Sequence, residues 1–254
     1  SIREFARVEH PLGLADEAFV APRLGLIFKP QPTVSLYASY SESFQPRSGD
    51  QFLSLSTTQQ NLEPERCTNR EVGLKWQAGP NLILTAAVFQ LDRTNATTPD
   101  PANPTLTINV GATRTEGLEL SATGNLLDRW QINAAYAFQD ATLRGNDDVR
   151  LAQVPEHQFS LWNRYDVSDR LGLGLGVIHQ SEQFAAIRTT PTTTRLPSFT
   201  RLDGAVYYDL SDRVQFQVNV ENLLDETYFA DAHNNFNITP GAPRNVRLSV
   251  SARF

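Results

Sequence analysis

The chain has 254 residues, of which 40% are hydrophobic, with a formal net charge of −6 and one cysteine, Cys67. That length supports a large core, while the lone thiol excludes an intrachain disulfide or a cysteine-built zinc site. Basic residues are dispersed without interleaved aromatics, which argues against nucleic acid as a partner, and no apolar run approaches the ~18 residues of a membrane helix.

Residues 1–20 are loop-like in character, carry no secretion signal and contain no methionine, so the chain reads as processed or truncated. The first expected strand covers 21–29, with Leu24, Leu26 and Phe28 on one face. Residues 29–32 are Pro-rich and form a short turn, because proline cannot continue a hydrogen-bonded ladder. The pattern predicts a strand over 33–44, then a long polar loop over 45–65, then a strand over 66–77. The segment 82–93 is apolar on both faces and its facing is ambiguous. A Thr/Pro/Asn loop is expected over 94–107, followed by strands over 108–124 and 130–139. A charged loop fills 142–155, strands cover 156–166 and 171–182, and a Thr/Pro loop covers 183–198. The last expected strands are 199–209, 214–221 and 245–254.

In the closing strand Val246, Leu248, Val250, Ala252 and Phe254 share one face, and Asn245, Arg247, Ser249, Ser251 and Arg253 share the other. Period-two alternation of this kind marks a strand with one apolar and one wet face. Two regularities join these segments. Long loops alternate with short turns, and an Asp-Arg pair recurs at Asp128-Arg129, Asp169-Arg170 and Asp212-Arg213, at a spacing of about 42 residues. Propeller blades share that period but pack four short strands into it, whereas two long ones fill it here. The pattern predicts an all-β, antiparallel transmembrane β-barrel meander of about eleven strands, with short turns at one end and long loops at the other. Bacterial single-chain barrels have even strand counts. Eleven is half of the roughly 22 strands of plugged outer-membrane transporters, so residues 1–254 are expected to be the C-terminal half of such a barrel.

Several motifs give the pattern a family. The run Asn219-Val220-Glu221-Asn222-Leu223-Leu224-Asp225-Glu226-Thr227-Tyr228 resembles the penultimate-strand signature of TonB-dependent outer-membrane receptors, with Leu224 in place of the usual Phe. Pro240-Gly241-Ala242-Pro243-Arg244, followed by an alternating strand to Phe254, resembles the end of the siderophore receptors in that family. The stretches 34–44, Asn61-Leu62-Glu63-Pro64-Glu65 and Arg114-Thr115-Glu116-Gly117-Leu118-Glu119 are also similar to its barrel motifs. The resemblance implies energised uptake of ferric siderophores across the bacterial outer membrane. It implies outer-membrane lipid, a ferric siderophore and the barrel assembly machinery as partners, and TonB acting through an N-terminal plug that is missing from this sequence. No enzymatic activity and no cofactor beyond the transported ferric ligand are implied.

On that footing, candidate ligand-binding residues lie in two loops: Phe44 and Arg47 in one, and Tyr228, Phe229, His233, Asn234, Asn235 and Phe236 in the other. Rings and amides there suit an aromatic siderophore, and arginine suits an anionic ferric catecholate. Phe254 resembles the terminal aromatic read by the assembly machinery, and it also suits an interfacial aromatic girdle. Gly172, Gly174 and Gly176 leave one strand face bare. This is either a close-approach surface for a plug or a lumen face that tolerates glycine. The four histidines, His10, His157, His179 and His233, lack metal-ligand spacing. Two further readings are a passive porin-like barrel and a secreted carbohydrate-binding β-sandwich.

Overall fold

The computed structural model of the protein describes residues 2–10, 13–45, 64–99, 107–187 and 193–253. Eighteen strands account for most of them. In chain order they are β1 (Ile2–His10), β2 (Gly13–Ala21), β3 (Arg23–Gln31), β4 (Val34–Gln45), β5 (Glu65–Gly79), β6 (Leu82–Pro99), β7 (Thr107–Leu127), β8 (Trp130–Leu143) and β9 (Asn146–Arg150). They continue with β10 (His157–Asp166), β11 (Leu171–Gln180), β12 (Gln183–Phe184), β13 (Arg195–Leu196), β14 (Phe199–Ser211), β15 (Val214–Glu221), β16 (Phe229–Asn234), β17 (Asn237–Pro240) and β18 (Asn245–Ala252).

Eleven strands form one antiparallel meander in the order β18-β15-β14-β11-β10-β8-β7-β6-β5-β4-β3, with β9 attached to β8. Among the described residues the remaining strands form only two-stranded sheets, so no second large sheet faces the meander and the sandwich alternative fails. Tight connections at 32–33, 80–81, 128–129, 167–170 and 212–213 share one end of the sheet, and the long connections share the other. The expected strand count and the sorting of loops by length are both present.

Register explains the two faces. Leu26, Ala38, Val72, Val88, Leu118 and Phe138 are paired in succession across six strands. Tyr165, Leu173, Val206, Val218 and Leu248 do the same across the remaining five. One residue along, Asp166, Gly172, Tyr207, Gln217 and Ser249 make a polar row on the opposite face. Leu84, Ala86 and Val88 join the apolar face, which settles the ambiguous facing of β6. Leu24, Leu26, Phe28, Val72, Val88, Val246 and Leu248 are all more than half exposed. Buried apolar residues instead gather in small clusters at the long connections: Ala141, at the end of β8, with Leu151 and Ile187 in one, and Ala185, Leu196 and Ala232 in the other. A large exposed apolar face in place of a central core is what a hydrocarbon environment selects.

Three expectations need correction. The loop-like start is a hairpin, with β1 paired to β2 from Ile2 with Ala21 to His10 with Gly13. Charges of both signs interrupt the apolar pattern there, while the backbone ladder forms regardless. The turn expected from Lys29 begins later. β3 runs through Pro30 because its register shifts between Phe28 and Gln31, and a bulge is where a strand tolerates proline. Of the expected Thr/Pro/Asn loop, the described residues 94–99 and 107 are strand. β6 and β7 continue to Pro99 and from Thr107, past an irregularity at Asn95, whose φ is 56°.

The glycine-bare face of β11 is filled from the neighbouring strand. A Cβ on Gly174 would lie 2.6 Å from the Trp162 ring, and one on Gly176 would lie 2.7 Å from it. Tyr37 covers Gly73 and Phe89 covers Gly117 in the same way, each from the position directly opposite. An aromatic ring over a cross-strand glycine pins register and restores the side-chain cover that glycine lacks.

Opposite facing at neighbouring positions of β18 gives a direct test. With its apolar face against lipid, the sheet is expected to lose about 2–4 kcal/mol to Leu248→Arg near a membrane midplane, whereas Ser249→Arg is expected to be close to neutral. Urea titration in lipid vesicles measures both.

Candidate functional site

The predicted ligand residues of the last long connection sit on a braced hairpin. The bracing starts at Asn222, which is 1% exposed and has a φ of 55°. Its amide nitrogen Nδ2 donates to the carbonyls of Glu226 (2.9 Å) and Ala242 (3.1 Å), and its Oδ1 accepts from the Glu226 N–H (2.8 Å). The Asn222 N–H donates to Asp203 Oδ1 (2.8 Å), and Arg201 Nη2 donates to Asp203 Oδ2 (2.8 Å). Asp225 also has a positive φ, and its Oδ1 accepts from the Arg244 N–H at 2.8 Å. Asparagine and aspartate adopt the left-handed conformation more readily than other side-chain-bearing residues, and their short polar groups bond nearby backbone. The Asn-Leu-Leu-Asp motif is therefore a lock that ties both ends of the connection to β14.

Tyr228 belongs to this lock. It is buried, its hydroxyl accepts from Arg201 Nη1 at 3.0 Å, and its ring lies 4.4 Å from that of Phe199. It also covers Gly241, whose N–H donates to the Tyr228 carbonyl at 2.8 Å. Asn234 and Asn235 have structural partners as well. Asn234 Oδ1 accepts from the N–H groups of Phe236 and Asn237, at 2.8 and 2.9 Å, and so closes the β16–β17 turn. Asn235 Oδ1 accepts from the Thr194 N–H (3.0 Å), and the Asn235 carbonyl accepts from the Thr194 hydroxyl (3.2 Å). These bonds fasten the hairpin to the β11–β14 connection, over the cluster of Ala185, Leu196, Ala232 and Ile238. Phe229, His233 and Phe236 remain exposed, Phe236 at 77%.

Phe44 lies elsewhere, near the end of β4, with the Arg66 guanidinium 5.6 Å from its ring centre. The structure thus groups Tyr228, Phe229 and the 233–236 residues at the β16–β17 hairpin, and leaves Phe44 on β4 of the eleven-strand sheet. Arg47, Phe254 and the Asn61-Leu62-Glu63 stretch lie outside the described residues.

A second polar constellation escaped the sequence reading. On the apolar face of β4–β7, beyond its last apolar residues, Glu42 receives Tyr40 and Arg66, and Asp92 receives Arg70 (2.9 Å) and a two-pronged Arg114 (2.7 and 3.1 Å). The one available signal was the recurrence of polar residues at every second position, as in Arg66, Thr68 and Arg70, but finding their partners requires the cross-strand register.

Replacing Asn222 by alanine removes three side-chain hydrogen bonds at a buried left-handed position. The expected cost is roughly 2–4 kcal/mol, read as a lower urea midpoint and as protease cleavage within 223–244. The exposed Leu224→Ala is expected to change neither.

Comparison with known proteins follows the same geometry. The family model described as "TonB dependent receptor-like, beta-barrel" matches residues 8–223. The chain is 32% identical over 248 residues to the probable TonB-dependent receptor BfrD of Bordetella pertussis, covering 91% of this chain and 33% of that protein. It is 29% identical over 257 residues to the probable TonB-dependent siderophore receptor PiuA of Acinetobacter baumannii, covering 93% and 34%. The crystal structure of the ferric-catecholate import receptor Fiu of Escherichia coli K12, in its closed form, superposes with a TM-score of 0.81 at 26% identity, covering 95% of this chain and 36% of that one. The chain spans about a third of the length of the curated relatives it matches. The meander, its two-faced register and the family match over most of its length agree: this chain belongs to the TonB-dependent receptor-like β-barrel family.

Proposed function

We propose that residues 1–254 are the C-terminal portion of the barrel of an outer-membrane receptor that takes up ferric siderophores with energy delivered through TonB. The observation that carries the reading is the family match over a meander whose exposed face is apolar strand after strand. Siderophore receptors among the relatives, PiuA and Fiu, support the choice of ligand. The plug domain and its TonB contact belong, in this reading, to the part of the receptor outside this chain. Further strands there complete a barrel of about 22 by pairing with β3 and β18. Neither catalysis nor a resident cofactor enters the mechanism.

Within this reading the chain contributes a membrane wall and part of a ligand vestibule. Long connections face outward in such barrels, which places the β16–β17 hairpin at the extracellular mouth. The lock at Asn222 and the stitch at Asn235 hold the hairpin in one pose, so little ordering entropy opposes binding. Phe229, His233 and Phe236 then present rings to an aromatic siderophore. Tyr228, Asn234 and Asn235 position those rings, and Phe44 and Arg47 serve a second loop of the same mouth.

In the full receptor, Phe236→Ala combined with His233→Ala is expected to weaken ferric-siderophore binding about tenfold, on the order of 1 kcal/mol for a lost ring contact. Leu224→Ala is expected to leave binding unchanged. Quenching of tryptophan fluorescence by a panel of ferric catecholates and hydroxamates measures the affinity. Unchanged affinity in the double variant rejects the hairpin as the ligand-facing surface. Failure of the unaltered receptor to bind or import any of them rejects the siderophore reading.

A further inference from the structure

We propose that the polar shelf on the membrane-facing side of β4–β7 is a binding surface for anionic, phosphate-bearing lipid headgroups of the outer leaflet. The inference rests on the membrane placement proposed above. The shelf begins where the apolar rows end. On β6 that face reads Leu84, Ala86, Val88, Gln90, Asp92, and on β7 Leu120 and Leu118 give way to Glu116 and Arg114. These polar positions lie toward the long connections, so in the proposed orientation they stand at the level of the outer-leaflet headgroups.

The charges on this shelf are stratified. The carboxylates of Glu42 and Asp92 lie beneath, with side chains 8% and 10% exposed. The guanidinium-bearing side chains of Arg66, Arg70 and Arg114 lie above them, at 49%, 51% and 34%. Arg70 also spans Tyr40, 5.8 Å from its ring centre, just as Arg66 spans Phe44. The buried acids fix the arginines in place, and the accessible surface is cationic. Exposed Glu116 adjoins Arg114 at 3.8 Å, and Gln90 donates to it at 2.5 Å; exposed Asp147 also lies within electrostatic reach of Arg114, as Arg144 does of Asp92. Beyond it, β8 and β9 pair Asp140 with Arg150 at 3.0 Å, which bounds the patch on that side. Guanidinium groups offer several N–H donors in a plane and suit phosphate oxygens. A neutral headgroup gains nothing from this arrangement, and a free anion forgoes the adjoining apolar rows that would take acyl chains.

The test uses the full receptor in nanodiscs of net-neutral phosphatidylcholine, with and without added lipid A as the anionic phosphorylated lipid, and counts retained lipid by native mass spectrometry. The unaltered receptor is expected to retain lipid A, losing it steeply as salt rises. Arg66→Gln with Arg70→Gln is expected to weaken retention about thirty-fold, from the contribution typical of two basic residues at a charged membrane surface. Arg66→Lys with Arg70→Lys is expected to keep most of it. Undiminished retention in the glutamine variant overturns the proposal. If that variant does not fold, the salt titration of the unaltered receptor decides, and salt-insensitive retention overturns it. Displacement by inorganic phosphate alone, with no preference for lipid A, also overturns it in favour of a free-anion site. Failure of the unaltered receptor to enter any nanodisc instead rejects the membrane placement itself.

Discussion

Backbone pairing is the constraint on which the rest of this structure depends. In hydrocarbon no water satisfies a peptide N–H or C=O, so each strand must find its partners in its neighbours. The eleven-strand meander meets that demand with nearest-neighbour antiparallel ladders, and β6 with β7 extends its ladder beyond the apolar rows. Once pairing is fixed, side-chain facing follows without further choice, because a strand alternates with period two. The same ladder that satisfies the backbone therefore sorts Leu26, Val72 and Val88 to one face and Tyr37, Gly73 and Glu119 to the other.

The two ends of the sheet have different tasks. The tight turns need only reverse the chain, and their repeated Asp-Arg pairs include a cross-turn contact between Arg129 and Asp169 at 2.7 Å. The long connections hold the small buried clusters and the lock around Asn222. Apolar residues are thus spent in two distinct ways: as an exposed wall along the strands, and as small interior seams that stiffen the loops. Exposed rings such as Phe236 stand on a scaffold whose asparagine side chains are already hydrogen-bonded, which is the condition for a preorganised binding surface.

Legibility in the sequence followed the range of the physics. β15 and β18 were readable because alternation is local and uninterrupted, and the loop sorting was readable because turn residues are local too. The β1–β2 hairpin was not, since Arg3, Glu4, Arg7 and Glu9 break the apolar periodicity that marks a strand, while backbone pairing is indifferent to it. The bare glycines of β11 invited an empty surface, and the ring that fills it comes from Trp162 on another strand. Tyr228 looked like a ligand residue by its chemistry, but its hydroxyl meets Arg201, 27 positions earlier in the chain. The paired charges of β4–β7 lie 22 to 24 residues apart and become visible only with register. Local pattern revealed strands and faces, whereas cross-strand partners determined which polar groups are structural and which are available.

The central claim is that one face of this sheet lies against lipid. Its most direct measurement is spin-label accessibility along 246–252, one cysteine at a time, with Cys67 replaced by serine and the full receptor in a bilayer. Positions 246, 248, 250 and 252 are predicted to be accessible to oxygen dissolved in the membrane and shielded from a water-soluble nickel complex, with the reverse at 247, 249 and 251. Uniform accessibility to the nickel complex along the strand, or accessibility without period two, would contradict the account.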